Sequence, residues 1–305
     1  MKEEINLFEE KIIGNLEERL HKKWEVRKGD IFCISSTHYI MCGDSTNPQN
    51  VETLLRNKSI DMVVTSPPYL DLRDYNIENF DWNELLISSF QNLYSRMDVN
   101  CDILVNLGLV YRDKKVCRYW DTWIDYMEQN NRSLFGWYIW DKGNGMPGNH
   151  NGRLAPAHEF IFHFRRNDAT PTPANKWIET KWKHPWGRDT KRNKDGSLTL
   201  RSPSLTDGQD YKVPDSVIRI SREWLHGLQQ DIHPATYPLD FAYFLIKTWM
   251  KDPNTVVYDP FLGSGTTILA TAKAECRGIG MEIDPTYVAV SLERLEQKGL
   301  TVTKV

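Results

Sequence analysis

The apolar positions of the chain follow two regimes. Short, nearly uninterrupted apolar runs occur at Ile60-Asp61-Met62-Val63-Val64-Thr65, from Asp102 to Leu107, from Thr255 to Tyr258 and from Gly278 to Met281. Runs of this length, rich in β-branched residues, predict strands buried on both faces, as parallel sheets require. Between them, residues Trp82 to Met97, Trp120 to Gln129, Leu239 to Met250 and Ile268 to Ala274 carry helix-forming composition or helical spacing. Near the N-terminus, Ile5, Phe8, Ile12, Ile13, Leu16, Leu20 and Trp24 recur at helical intervals among charges, which predicts an amphipathic helix packed on the domain. Strands alternating with helices predict an α/β fold with a doubly wound sheet. No internal repeat or low-complexity tail interrupts the pattern.

Chemistry concentrates where the predicted strands end. The strand over 255–258 runs into Asp259-Pro260-Phe261-Leu262-Gly263-Ser264-Gly265-Thr266-Thr267 and then into a helix. Gly263 and Gly265 let the backbone turn sharply and lie against a ligand. The next strand ends in Glu282, about 20 residues on, where a carboxylate accepts hydrogen bonds from two ribose hydroxyls. The loop lacks Gly-Lys-Ser or Gly-Lys-Thr, and Asp259 repels a pyrophosphate. The pattern therefore points to a nucleoside cofactor with a cationic, phosphate-free tail. S-adenosyl-L-methionine fits that description.

The earlier strand ends at Thr65 and continues as Ser66-Pro67-Pro68-Tyr69. Open α/β sheets bind ligands beyond the carboxyl ends of their strands. Two prolines fix φ, lack N–H groups and leave their carbonyls as acceptors, while Tyr69 offers a flat face for a base. The lone pair of an exocyclic amino group is delocalised into its ring. Acceptors at Ser66 and the Pro67 carbonyl would hold both amino hydrogens and direct that lone pair at a methyl sulfonium, which is catalysis by positioning and electrostatics.

Ser66-Pro67-Pro68-Tyr69 followed by Asp259-Pro260-Phe261-Leu262-Gly263-Ser264-Gly265 resembles the amino DNA methyltransferases of the permuted beta arrangement, which modify cytosine N4 or adenine N6. Cys42-Gly43-Asp44-Ser45, after a short strand from His38 to Met41, resembles the Gly-Asp signature whose acid lies near the cofactor. Trp137 to Asn144 and His158 to Phe164 resemble the paired late strands of the catalytic half. His233-Pro234-Ala235-Thr236-Tyr237-Pro238 resembles the motif that helps hold the methionine end. The likeness runs from about Ile31 to Gln297, with an unmatched stretch in the middle.

This resemblance implies a Rossmann-like methyltransferase sheet with circularly permuted motif order and an inserted target-recognition segment. It implies catalytic roles for Ser66, Pro67, Pro68 and Tyr69. Cofactor contacts are implied for Asp44, Thr65, His233, Thr236, Asp259, Phe261, Gly263, Ser264, Gly265, Thr266 and Glu282. The implied division is an N-terminal helical extension (1–30), a catalytic half (31–165), a target-recognition segment (166–225) and a cofactor-binding half (226–305).

Serine at the head of the catalytic motif is typical of cytosine-N4 enzymes, although some family members with serine modify adenine N6, so both bases stay open with cytosine favoured. A cytosine-C5 reaction needs a thiolate nucleophile, commonly presented after a proline, and none of Cys33, Cys42, Cys101, Cys117 or Cys276 follows one. A DNA-binding relative without activity is a third reading, disfavoured by the intact motif residues. The cysteines form no Cys-x-x-Cys pair, so no metal site is expected and reduced thiols fit a cytoplasmic protein.

Composition changes the picture in one place. The formal net charge of the 305-residue chain is −3, a poor match to DNA, yet between Lys142 and Arg201 twelve basic residues face five acids. Interleaved with Trp177, Trp182 and Trp186, this stretch lies where the family keeps its recognition segment. Lys181, Lys183, Arg188, Lys191, Arg192, Lys194 and Arg201 are its candidate DNA contacts, neutralising phosphates of double-stranded DNA. The Gly-rich run from Gly143 to Gly152 reads as a connector between strands. No apolar run reaches membrane-spanning length, and the sequence begins Met1-Lys2-Glu3-Glu4, so no membrane association is expected. A cognate restriction endonuclease is a candidate partner; monomer or homodimer stays open.

Overall fold

The computed structural model describes residues 17–68, 81–145, 148–170, 173–179, 190–200, 210–222 and 237–305. The first strands are β1 (Ile31–Ile34), β2 (His38–Cys42), β3 (Ile60–Thr65) and β4 (Met97–Leu107). A short hairpin follows, β5 (Val110–Arg112) and β6 (Lys115–Cys117), and then the long pair β7 (Arg132–Asp141) and β8 (His158–Arg166). Short strands β9 (Ile178–Glu179), β10 (Thr190–Arg192), β11 (Leu198–Leu200), β12 (Tyr211–Lys212) and β13 (Val217–Arg219) precede β14 (Val256–Asp259), β15 (Arg277–Glu282) and β16 (Val302–Lys304). The helices are α1 (residues 17–24), α2 (Pro48–Leu55), α3 (Trp82–Gln91), α4 (Asp121–Gln129), α5 (Leu239–Trp249), α6 (Thr266–Lys273) and α7 (Pro285–Gln297).

Ten of the described strands form one sheet in the order β13-β7-β8-β4-β3-β14-β15-β2-β1-β16. The central run β4-β3-β14-β15-β2 is parallel. The flanks are not: β8 runs antiparallel to β4 and β7, and β1 runs antiparallel to β2 and β16. The sheet is therefore mixed, a parallel core whose flanks turn antiparallel because β7 pairs with β8, and β1 with β2, as hairpins.

Burial on both faces explains the uninterrupted apolar runs. Val63, Ile103, Val105, Tyr258, Ile279 and Met281 pack on one side against Leu54 and Leu55 of α2, Trp82, Leu86 and Phe90 of α3, and Trp123 and Met127 of α4. On the other side, Met62, Val64, Leu104 and Val257 meet Phe241, Leu245 and Ile246 of α5, while Ile34 and Ile40 meet Val288, Leu292 and Leu295 of α7. Leu20 of α1 and Val26 join this second core, and Lys23 pairs with Glu293 and Glu296 of α7. The described part of the amphipathic N-terminal segment thus packs on the domain.

The expected elements form with shifted ends. The helix expected over 82–97 stops at Gln91, because Asn92 turns its amide to the Ser45 and Thr46 carbonyls, at 3.1 and 2.9 Å, and the chain then enters β4 at Met97. Val217–Arg219, inside the span assigned to target recognition, pairs with β7 in the main sheet. Asn175 and Trp177 of that span bind α5, through the Lys247 and Met250 carbonyls and the Thr248 hydroxyl. All five cysteines are free thiols, and burial beside Glu282 pushes Cys42 up to about 12. Among the described residues, no helix is long and apolar enough to cross a membrane.

Candidate active site

The connection from β3 through α3 leads to β4 on one side, whereas the connection from β14 through α6 leads to β15 on the other. Strand order therefore reverses between β3 and β14, which lie side by side in parallel. A crevice opens at the carboxyl ends of strands that part in this way. Thr65 ends β3 and Asp259 ends β14, so the structure brings the two motif segments to one rim although 194 residues separate them.

Their junction is a hydrogen bond, Thr65 Oγ1 donating to Asp259 Oδ1 at 2.6 Å. The Phe261 N–H donates to the same oxygen at 3.0 Å. Asp259 Oδ2 accepts from the hydroxyls of Thr267 and Tyr237. Two acceptor positions on each oxygen are thereby filled, with Asp259 only 1% exposed. Burial raises its pKa and the four donors oppose that rise. In the structure the Asp259 carboxylate is met by the strand ends, loop and helix around it.

The glycine loop closes as its sequence requires. Gly263 and Gly265 adopt left-handed φ values of 55° and 81°, and Gly265 caps α6. The Gly263 N–H donates to Glu282 Oε2 at 2.8 Å, and the Asp284 N–H to Glu282 Oε1 at 3.0 Å. Ser291 of α7 binds the Gly263 carbonyl, and Arg294 of α7 reaches the hydroxyls of Ser264 and Thr266. Those two hydroxyls are turned inward, as is the Ser264 carbonyl, which also accepts from Arg294. Glu282 is 8% exposed, and burial pushes its carboxyl up to about 7 against the pull of the two N–H donors. Each of its oxygens retains room for another donor.

Asp44 lies at the same rim, two residues beyond β2, with Oδ1 held by the N–H and hydroxyl of Thr46. Phe261 is half-buried against the core. In the catalytic motif Pro67 is buried and Ser66 and Pro68 are half-buried. The Pro68 carbonyl accepts from Trp82 Nε1 at 2.8 Å, and Trp82 meets Tyr119 edge-to-face at 4.7 Å. Tyr119 in turn donates to the Gly108 carbonyl just past β4. Tyr69, His233, Thr236, Lys181, Lys183, Arg188 and Arg201 lie outside the described residues. Lys191 and Arg192 sit in β10 of a small hairpin with β11; Arg192 and Lys194 are exposed.

Sequence reading missed Trp82, Tyr119, Tyr237 and Arg294. Tyr237 directly follows the assigned Thr236, and Arg294 stands three positions after Ser291 on the face of α7 that meets the loop; both spacings are signals in the sequence. Trp82 is indistinguishable from an ordinary core tryptophan until the fold shows its partner.

A sequence model of the N6/N4 methyltransferase family, described as DNA methylase, matches residues 60–293. The chain is 26% identical over 306 residues to the Type II methyltransferase M.XycI of Xanthomonas campestris pv. cyanopsidis, across 87% of this chain and 92% of that protein. The fold is similar to that of the PvuII DNA methyltransferase (cytosine-N4-specific), with TM-score 0.60 and 19% identity over 86% of this chain and 91% of that one. It is also similar to that of M1.HpyAVI in its SAM complex, with TM-score 0.53 and 21% identity over 85% and 98% of the two chains.

Asp259→Ala removes the acceptor of four donors in a buried place. The expected result is a stability loss on the order of 3 kcal/mol in urea denaturation. A change below about 0.5 kcal/mol would show that this carboxylate does not join the two halves.

Proposed function

The chain belongs to the N6/N4 DNA methylase family, and we propose that it methylates the exocyclic N4 amino group of cytosine in double-stranded DNA, using S-adenosyl-L-methionine. The observation that carries this reading is the Thr65–Asp259 hydrogen bond, which sets the Ser66-Pro67-Pro68 platform beside the glycine loop at the point where strand order reverses. Ser66 at the head of the motif favours cytosine over adenine.

The rim suits this cofactor. Asp44, Glu282 and Asp284 line it, and the one described guanidinium touching the loop, Arg294, stands behind it against Ser264 and Thr266. Such a surface attracts a cationic ligand and disfavours a phosphate. The spare acceptor positions of Glu282 match a pair of ribose hydroxyls, and the backbone from Phe261 to Thr266 with Asp44 would enclose the rest. Bound S-adenosyl-L-methionine supplies an electrophilic methyl group on a sulfonium.

The chain's own residues position the acceptor. The target amino group is buried in a duplex, so the base must leave the stack. Ser66 and the Pro67 carbonyl accept its two hydrogens, and Tyr69 stacks on its ring. Trp82 fixes the next carbonyl along, that of Pro68. A strong general base is unnecessary, because the methylated nitrogen is far more acidic than an ordinary ammonium and loses its proton to adjacent acceptors or water.

Digestion of DNA treated with the protein and labelled cofactor should yield N4-methyl-2′-deoxycytidine as the modified nucleoside by mass spectrometry. N6-methyl-2′-deoxyadenosine would replace the cytosine reading with the adenine one, and no modified base would remove the enzymatic reading. Ser66→Ala should slow single-turnover methylation by roughly 100-fold with little change in cofactor affinity; an unchanged rate excludes Ser66 from the mechanism.

Cofactor affinity should also depend on pH through Glu282. Hydroxyl donors stabilise the carboxylate, so binding lowers its pKa from about 7. Affinity is then level above pH 7 and falls as pH drops through 7, by up to about tenfold per pH unit. Calorimetry from roughly pH 8 to pH 5.5 tests this. Glu282→Ala should bind more weakly with a flat profile, and a wild-type profile already flat would remove Glu282 from the ribose site.

A further inference from the structure

We propose that the β5–β6 hairpin is a second contact to the DNA backbone, distinct from the candidate contacts between Lys181 and Arg201; this rests on the DNA methyltransferase reading above. The hairpin lies at the catalytic rim by construction. β4 is parallel to β3 with Thr65 opposite Val105, so both strands leave the sheet at the same edge. The hairpin begins three residues past Leu107, and its base is tied to the catalytic motif through Tyr119, Trp82 and the Pro68 carbonyl. A duplex that delivers a base to Ser66 and Pro67 must pass close to this projection.

Its chemistry suits phosphate. Arg112 pairs across the hairpin with Lys115, and Lys114 stands at the turn. All three are exposed, with Asp113 the one acid among them. Among the described residues, Lys114 and Lys115 meet no carboxylate. Arg153, five residues before β8 and so at the same rim, stacks its guanidinium on Tyr111 at 4.4 Å and donates to the Lys114 carbonyl at 2.6 Å. In a chain of net charge −3, this is a concentrated positive projection beside the reaction point.

The turn is strained as well as charged. Asp113 and Lys114 hold left-handed φ values of 49° and 63°, as a two-residue hairpin turn demands. Asn-Gly would meet that demand with less strain. Placing a lysine where glycine would be easier fixes a cation at the tip, and strain of this kind marks positions held for function. The contact is sequence-independent, since phosphate neutralisation carries no base information.

The test uses the full chain and a fluorescent mixed-sequence duplex, with affinity read by anisotropy across a salt series. Lys114→Gln/Lys115→Gln should weaken binding by about tenfold for each phosphate left without its lysine near 0.1 M salt and lower the log–log salt slope by roughly two. Lys114→Arg/Lys115→Arg should restore both values. Lys114→Gly relieves the turn while removing a charge, so its thermal stability should hold or rise as DNA affinity falls. Cofactor affinity measured by calorimetry should stay at the wild-type value throughout. Wild-type affinity and slope in the Gln double variant would overturn the hairpin contact alone. A wild-type protein that neither binds nor methylates DNA would overturn the underlying reading and the hairpin with it.

Discussion

The Asp259 carboxylate is the constraint on which the rest of the structure depends. A buried anion is tolerated only when its lone pairs are met, and here each donor comes from a different place: Thr65 at the end of β3, the Phe261 backbone in the loop, Thr267 in α6 and Tyr237 ahead of α5. Parallel pairing of β3 with β14 puts the two strands side by side, yet pairing alone leaves the segments beyond their ends free to diverge. The carboxylate removes that freedom. It fixes where the Pro-Pro platform leaves the sheet relative to where the glycine loop begins, and for a reaction governed by positioning that relation is the catalytic geometry.

The same rim stores unfavourable energy that a ligand can release. Glu282 binds its proton more tightly in the folded chain than in the unfolded one, because burial raises its pKa from the ordinary carboxylate range to about 7. Its ionisation therefore opposes folding increasingly as pH rises through that window, and the opposition is complete above about 7. Two N–H donors offset only part of the desolvation. The remaining acceptor capacity is what a pair of ligand hydroxyls would satisfy. Asp259 and Glu282, both strand-terminal acids, have thus diverged in role: one is saturated internally and holds the frame, the other keeps room for a partner. The sequence does not separate them.

Much of the frame was legible because each strand's period and each glycine's place are local properties. The runs at 60–65 and 278–281 become strands with nearly the expected bounds, and Gly263 and Gly265 take the left-handed turn that their placement implied. What was not legible depends on tertiary partners. β4 starts at Met97 because that residue pairs with Ile60 ahead of a register shift in the β3–β4 ladder, and α3 ends early because Asn92 finds the Ser45 and Thr46 carbonyls. Ser264 and Thr266 are cofactor contacts only by the family resemblance of the loop that holds them. Only the packing of α7 reveals Arg294 behind them.

Trp82 shows how an apolar core can carry information to a polar site. It is 1% exposed and packed edge-to-face against Tyr119 and Trp123, so its ring position is set by close packing between α3 and α4. Its single N–H must find an acceptor on burial, and the Pro68 carbonyl, which no strand ladder occupies, is that acceptor. Tyr119 meets the same demand at the Gly108 carbonyl, at the foot of the β5–β6 hairpin. One aromatic contact therefore sets both the exit path of the catalytic motif and the base of the cationic projection. Because interiors of this density do not deform gradually, a shift at either end is resisted at the other. The proposed backbone capture at the hairpin and base positioning at the motif would then be held in a fixed spatial relation, even though neither element touches the other in sequence.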